Sequence, residues 1–380
     1  MVADGTLFVK NLPIGNFPQG MASVPLEGSR AIDYIQTMQT KNSALPKIED
    51  VARAAGVSTA TVSRVLNTPG AVREALCQRV TEAVAKLGYV PHAGARALKL
   101  QRSGTVGAIF PTVDNAIFAK AIDALQHRLA GAGLQLLIAT SGYDVETEAQ
   151  QAINLVTRGA DALALCGVTQ HPRLLNFLRQ RELPAVHAMT YPSPPDMVCV
   201  GFDNARAIGH AVRYLLDLGH RRIAMLAGIT HNNDRATARV TGVRQALANA
   251  GLQLPPHWLV ERRYALADAR EGFRALLMAA RPAPTAVLCG NDVLAFGALL
   301  EAQALGLAVP GEVSIVGFDD LEMARHIRPA LTTLHVPTES MWFTVADRLI
   351  AALEQRPVPV ATEVEVELLV RDSTGPAPRA

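Results

Sequence analysis

Charge and aromatic residues are scarce in this chain of 380 residues. Only 18% are charged and 5% aromatic, while 49% are apolar. Typical soluble domains carry about 25% charged residues. The deficit marks a core-forming chain and excludes wholesale disorder. The four cysteines, Cys77, Cys166, Cys199 and Cys289, stand far apart with no CxxC pair. That argues against a zinc module or a disulfide framework and favours a reducing compartment. No apolar run approaches the roughly 18 residues that a membrane helix needs. The first residues lack the continuous apolar stretch of a secretory signal. A cytoplasmic protein with no membrane contact is therefore expected. Enzyme motifs are missing too: there is no GxxxxGK, HExxH or GxSxG. The glycines at 131–133 follow a helical pattern and precede a strand pattern, the wrong order for a dinucleotide fingerprint. His187, His210 and His220 lie apart and read as structural. No catalytic residue, no metal and no cofactor is expected.

The charge that is present is unevenly placed. The whole chain is +2, but residues 46–102 carry +5, which leaves the remainder at −3. A short basic module joined to a mildly acidic body fits a polyanion-binding head on a regulatory body. Residues 1–44 show no sustained period and contain Pro13, Pro18 and Pro25, so they read as a disordered arm, with Met38 as an alternative start. Residues 46–90 read as three short helices. Ile48, Val51, Ala52 and Ala55 share one face, and Gly56 breaks that helix. Ser58 is a natural N-cap for TATVSRVLN. The third helix buries Leu76, Val80 and Leu87 and stops at Gly88. The first two helices have the layout of a helix-turn-helix. Small residues on the second helix let it approach the floor of the major groove. Thr59, Ala60, Ser63 and Arg64 are placed to meet base edges, with Arg best matched to guanine. Ser58 and the helix N-terminus suit a phosphate.

From residue 104 the pattern changes. Apolar runs such as TVGAIFP, LQLLIAT, ADALALCG, RRIAMLAG, TAVLCGN and VSIVGFDD alternate with amphipathic helices. Such alternation predicts an α/β fold: two doubly wound parallel-sheet subdomains after a small all-α head. The boundaries read as 46–90 for the head, 91–102 for a linker and 103–375 for the body. Within the body, the N-subdomain is about 103–217 plus 337–357, and the C-subdomain about 218–336 plus 358–375. Ligands bind such sheets at the carboxyl ends of the strands, so two facing sheets predict one shared cleft.

IEDVARAAGVSTATVSRVLN, GYVPHAGARAL, TVGAIFP, VGFDN, LGHRRIAMLAG, RVTGVRQAL, GNDVLAFGALLEAQALGLAVPGEVSIVGFDD and PALTTLHVP together resemble a lactose-repressor (LacI) family transcription regulator. The resemblance covers roughly residues 46–375. It implies that Thr59, Ala60 and Arg64 hold the base-reading positions. Residues 92–99 match the family's hinge helix, which orders on operator DNA. There Leu98 matches the wedge that unstacks a central base step, flanked by Ala95 and Arg96. His92 and Gly94 depart from the usual hinge pattern and weaken that helix.

The resemblance also implies an effector site at Phe118, Asn204, Arg239, Asn291 and Asp319, residue types suited to a polyhydroxylated ligand. Asp203, Asn204, Asn291 and Asp320 equally fit helix caps. Ala267 stands where many relatives place a ligand-stacking aromatic, with Tyr264 or Leu266 as substitutes, which points to a small sugar or sugar acid rather than a flat purine. The function implied is a homodimeric repressor whose grip on double-stranded operator DNA is set by that effector. The alternative is a sugar-binding protein without DNA regulation, against which the basic head and the absent export signal argue.

Overall fold

The computed structural model describes residues 45–90, 102–279 and 282–379. The arm at 1–44 and the linker with Ala95, Arg96 and Leu98 lie outside the described residues. The chain divides into two compact units, Met1–Pro91 and His92–Ala380.

In the first unit, helices α1 (Ile48–Ala55), α2 (Thr59–Asn67) and α3 (Glu74–Leu87) enclose Val51, Ala52, Ala55, Val62, Val65, Val80 and Ala83. Leu76, expected in this core, is only half-buried, and Cys77 joins the cluster in its place. The turn between α1 and α2 is built by two local devices. Gly56 ends α1 in the left-handed region at φ +61°. A Cβ there would also sit 2.9 Å from the Arg79 guanidinium, which donates to the Ala55 and Gly56 carbonyls that α1 leaves unpaired. Ser58 then caps α2, its Oγ accepting from the Thr61 amide at 3.2 Å.

The second unit contains two six-stranded sheets. The first has the order β11-β5-β4-β3-β1-β2, all parallel, built from β1 (Thr105–Phe110), β2 (Gln135–Thr140), β3 (Ala160–Cys166), β4 (Ala185–Ala188), β5 (Val198–Gly201) and β11 (Ala361–Glu363). The second has the order β12-β10-β9-β8-β6-β7, from β6 (Ile223–Gly228), β7 (Leu259–Arg262), β8 (Ala286–Cys289), β9 (Ser314–Asp319), β10 (Thr332–His335) and β12 (Glu367–Leu369). Only β12 runs antiparallel to its neighbour. The central strands are apolar almost throughout because helices cover both faces. Those of the first lobe are α4 (Ala116–Gly131), α5 (Val145–Thr157), α6 (Pro172–Gln180) and α12 (Thr338–Leu353). The second lobe has α7 (Asn204–Asp217), α8 (Asp234–Asn249), α9 (Leu266–Met278), α10 (Asp292–Ala304) and the short α11 (Met323–His326).

Two subdomain assignments differ from the sequence reading. Helix α7 packs on α8 and on β8, β10 and β12, so the first crossing comes before it and not at 217/218. Strand β11 pairs with β5, so residues 361–363 belong to the first sheet and the last crossing follows Glu363, not residue 357. In both cases the period of the segment is right, and tertiary packing decides the sheet it joins.

Gly56→Ala is expected to cost the head about 1–2 kcal/mol, since Ala pays for the left-handed backbone and crowds Arg79. Calorimetry should show the head's transition falling while that of the body stays in place.

Candidate functional site

The strands of the two sheets end at a common cleft, and the loops just beyond those ends line it. Asn115 follows β1, Tyr143 follows β2, Met189 follows β4, Asn233 and Arg235 follow β6, Tyr264 follows β7 and Asn291 follows β8, while Asp319 ends β9. With Ile117, Phe118 and Arg239 these residues enclose a cavity of about 30 Å³. It opens beside a vestibule of about 760 Å³ that Ile117 and Asp319 also line, together with Lys120, Arg325, His335 and Thr338. Ligand pockets usually measure about 300–1,000 Å³, so a ligand enters the inner cavity only when the lobes or its side chains part.

Phe118, Arg239, Asn291 and Asp319 thus meet at one place. Arg239 is buried and largely engaged. Its Nε donates to Asn204 Oδ1 at 3.0 Å and its Nη1 to the Gly290 carbonyl at 2.6 Å. Its guanidinium lies 3.9 Å from the centroid of the Phe318 ring, a contact strengthened by desolvation. Asn204 does not line the cavity. It stands behind Arg239 and donates to the Met189 carbonyl at 3.0 Å. Asn291 lines the cavity and also caps α10, accepting from the Leu294 amide at 3.0 Å. Phe118 belongs to the core and to the cavity wall, 5.9 Å from the Phe110 ring. Of the helix caps expected alongside, Asp203 caps α7, whereas Asp320 pairs with Arg325, His335 and Arg371.

Asp319 differs from the others. It is buried and sits at φ +111°, and its carboxylate makes no side-chain hydrogen bond to the described residues. Burial pushes its carboxyl up to about 7, against the pull of the Arg239 guanidinium. A carboxylate on a strained backbone at a cavity wall is an acceptor that a ligand hydroxyl can meet. The sequence reading missed Asn115, Tyr143, Met189, Asn233 and Arg235. The available signal was position, since each follows a strand end. Tyr264 does supply an aromatic to the cavity, 5.9 Å from the Tyr143 ring, and Leu266 is exposed.

Beside the cavity the lobes are clasped. Asp234 of the second lobe accepts from the Val168 amide at 3.2 Å and the Thr190 hydroxyl at 2.9 Å, both in the first lobe. Arg235, paired with Asp234 at 2.9 Å, donates to the Cys166 carbonyl at 3.0 Å. The pair lies so close to the Gly167 turn (φ +79°) that a Cβ there would fall 1.8 Å from Arg235 Nη1. Burial pushes the nearby Glu148 carboxyl up to about 7, with Arg235 opposing.

In the head, Thr59, Ala60 and Arg64 are exposed along α2, Ser63 is half-buried, and Ser58 is spent on the cap. Lys47, Arg53, Arg73 and Lys86 are exposed as well. No helix among the described residues is long and apolar enough to cross a membrane.

Comparisons with known proteins agree with this fold. Residues 47–92 match the model of bacterial regulatory proteins of the lacI family, and residues 212–374 that of a periplasmic binding protein-like domain. The HTH-type transcriptional repressor PurR of Escherichia fergusonii is 32% identical over 336 residues, 87% of this chain and 97% of that protein. Among solved structures, the lac repressor dimer bound to operator and the anti-inducer ONPF is 25% identical with a TM-score of 0.79, covering 87% of this chain and 100% of that one. The complex of the transcriptional regulator CelR with cellobiose is 29% identical with a TM-score of 0.63, covering 86% of this chain and 99% of that one.

The fold keeps a proton on Asp319 that the unfolded chain has released. This group's contribution to stability is therefore greatest below about pH 4 and is lost as the pH rises towards 7. Asp319→Asn is expected to raise the melting temperature by several degrees at about pH 8 and to change it little at about pH 4. Equal shifts at both would contradict the raised carboxyl.

Proposed function

The chain belongs to the LacI family of bacterial regulatory proteins, and from that membership we propose that it is a repressor of transcription whose grip on an operator is set by a small polyhydroxylated ligand in the cleft. One observation carries this reading. The chain joins a capped recognition helix with Thr59, Ala60 and Arg64 exposed to a body in which Phe118, Arg239, Asn291 and Asp319 share one cavity. Residues 46–90 read DNA, 91–102 link and 103–375 sense. Arg64 contacts a base edge, and the N-terminus of α2 beside Ser58 faces phosphate. Leu98, flanked by Ala95 and Arg96, is the wedge, on sequence grounds alone.

In the cleft, Asp319 accepts ligand hydroxyls. Asn291 offers its amide nitrogen, its oxygen being held by the α10 cap. Arg239, anchored by Asn204 and Gly290, presents its remaining donors. Tyr143 and Tyr264 give an apolar wall that suits a sugar ring, and the cellobiose bound by the structurally similar CelR supports a sugar-class ligand. Binding is reversible, without turnover, and the protein works in the cytoplasm, where DNA is accessible.

The second copy in the functional unit is this same chain. Strand β2 is an edge strand with Leu137 and Ile138 exposed, which soluble proteins seldom leave uncovered. A twofold dimer through this edge would bring two heads to a near-palindromic site, as the lac repressor dimer on its operator supports.

A thermal-shift screen over sugars and sugar acids, followed by gel-shift titration on the chain's own upstream region, tests the reading. A discrete complex whose midpoint moves with the stabilising ligand is expected. Absence of any retarded complex at low salt would defeat it. Arg239→Ala should abolish the ligand response while sparing DNA binding. Leu98→Ala should weaken operator binding far more than binding to nonspecific DNA.

A further inference from the structure

The clasp and the linker attach to opposite ends of one strand. At its carboxyl end, β3 meets the second lobe: Arg235 holds the carbonyl of its last residue, Cys166, and Asp234 holds the Val168 amide just beyond. At its amino end, β3 holds the first described residues of the body. The pairing of β1 with β3 is irregular here. Thr105 faces Ala160 and Val106 faces Ala162, which leaves Asp161 as the extra residue of a bulge. Bulges re-aim side chains, and this one turns the Asp161 carboxylate onto the incoming chain. Its Oδ1 accepts from the Ser103 amide at 3.2 Å, and its Oδ2 from the Gly104 amide at 2.8 Å and the Ser103 hydroxyl at 3.2 Å. The Ser103 hydroxyl shares its one proton between Asp161 Oδ2 and the Gly159 carbonyl, and Arg102 donates to the carbonyl of Leu353 at the end of α12.

From these contacts we infer that β3 is a coupling rod and Asp161 a positioning residue: the strand conveys the engaged or released state of the clasp to the point where the chain leaves the body for the head. The inference rests on the proposed function and adds its route. Three physical features support it. A seven-residue strand spans about 20 Å and, hydrogen-bonded between β1 and β4, resists bending. The clasp is a desolvated ion pair on a glycine turn, and its engagement is abrupt because a half-released buried charge is costly. At the other end, two backbone amides and a hydroxyl share one carboxylate, so a shift of β3 carries residues 103–104 with it.

A double-mutant cycle measures this coupling. Thr190→Val removes one hydrogen bond of the clasp at nearly constant volume. Asp161→Ala removes the staple. Operator dissociation constants are measured for the full chain, both single variants and the double variant on the protected stretch of its upstream DNA. In the Asp161 background, Thr190→Val is expected to change operator affinity by about fivefold, within the usual range of allosteric coupling. In the Asp161→Ala background it should change affinity by less than about twofold. Equal changes in both backgrounds, or no change in either, would overturn the inference. If Asp161→Ala fails to fold, Asp161→Asn, which keeps an acceptor for the Gly104 amide, completes the cycle and should retain part of the coupling. Loss of every discrete complex, wild type included, would instead remove the functional reading and this inference with it.

Discussion

An ion pair closing on a residue with no side chain clasps the two lobes of the body beside the cavity. Asp234 and Arg235 can reach the first lobe only because position 167 is glycine, and they bring their charges out of water in doing so. Each charge is then compensated by the other and by backbone groups of the opposite lobe. Removing one member would leave the other with only its hydrogen bonds to the opposite lobe and weaken the clasp. Contacts of this kind are made or broken as a unit. Such a clasp is the kind of element whose making or breaking ligand control of DNA binding can use.

The cavity beside the clasp divides its polar groups into those already satisfied and those held in reserve. Arg239 is fixed by Asn204, Gly290 and the Phe318 face, so it meets a ligand as a rigid donor that loses little freedom on binding. Asp319 carries a strained backbone and a raised carboxyl with no side-chain hydrogen bond to the described residues. The fold bears that cost without a return of its own, as functional sites often do. Hydroxyl donors from a ligand would lower the Asp319 pKa and recover the cost. The inner cavity of about 30 Å³ shows how closely the lobes approach in the engaged arrangement.

Much of this was legible in the sequence wherever the cause is local. Gly56, Ser58 and Gly88 mark helix ends by their own backbone and capping chemistry, and the structure puts helix ends there. The apolar runs of β1, β3, β6, β8 and β9 announce buried parallel strands. Phe118, Arg239, Asn291 and Asp319 were reached through the motifs that contain them, and the fold brings all four to one cavity. Asn204 was reached in the same way but supports Arg239 from behind. What the sequence hid is set by topology. Nothing local to α7 or β11 says which sheet it joins. Tyr143, Arg235 and Asp161 carry no motif and acquire meaning only when strand ends converge, a turn closes or a bulge re-aims a carboxylate.

The most direct test of the account is footprinting of the full chain across its own upstream region, with and without the ligand that most raises its melting temperature. The account predicts one discrete protected stretch with two symmetric halves, whose occupancy the ligand changes for the native chain and leaves unchanged for the Arg239→Ala variant. Diffuse protection, or a footprint indifferent to every ligand that stabilises the body, would contradict it.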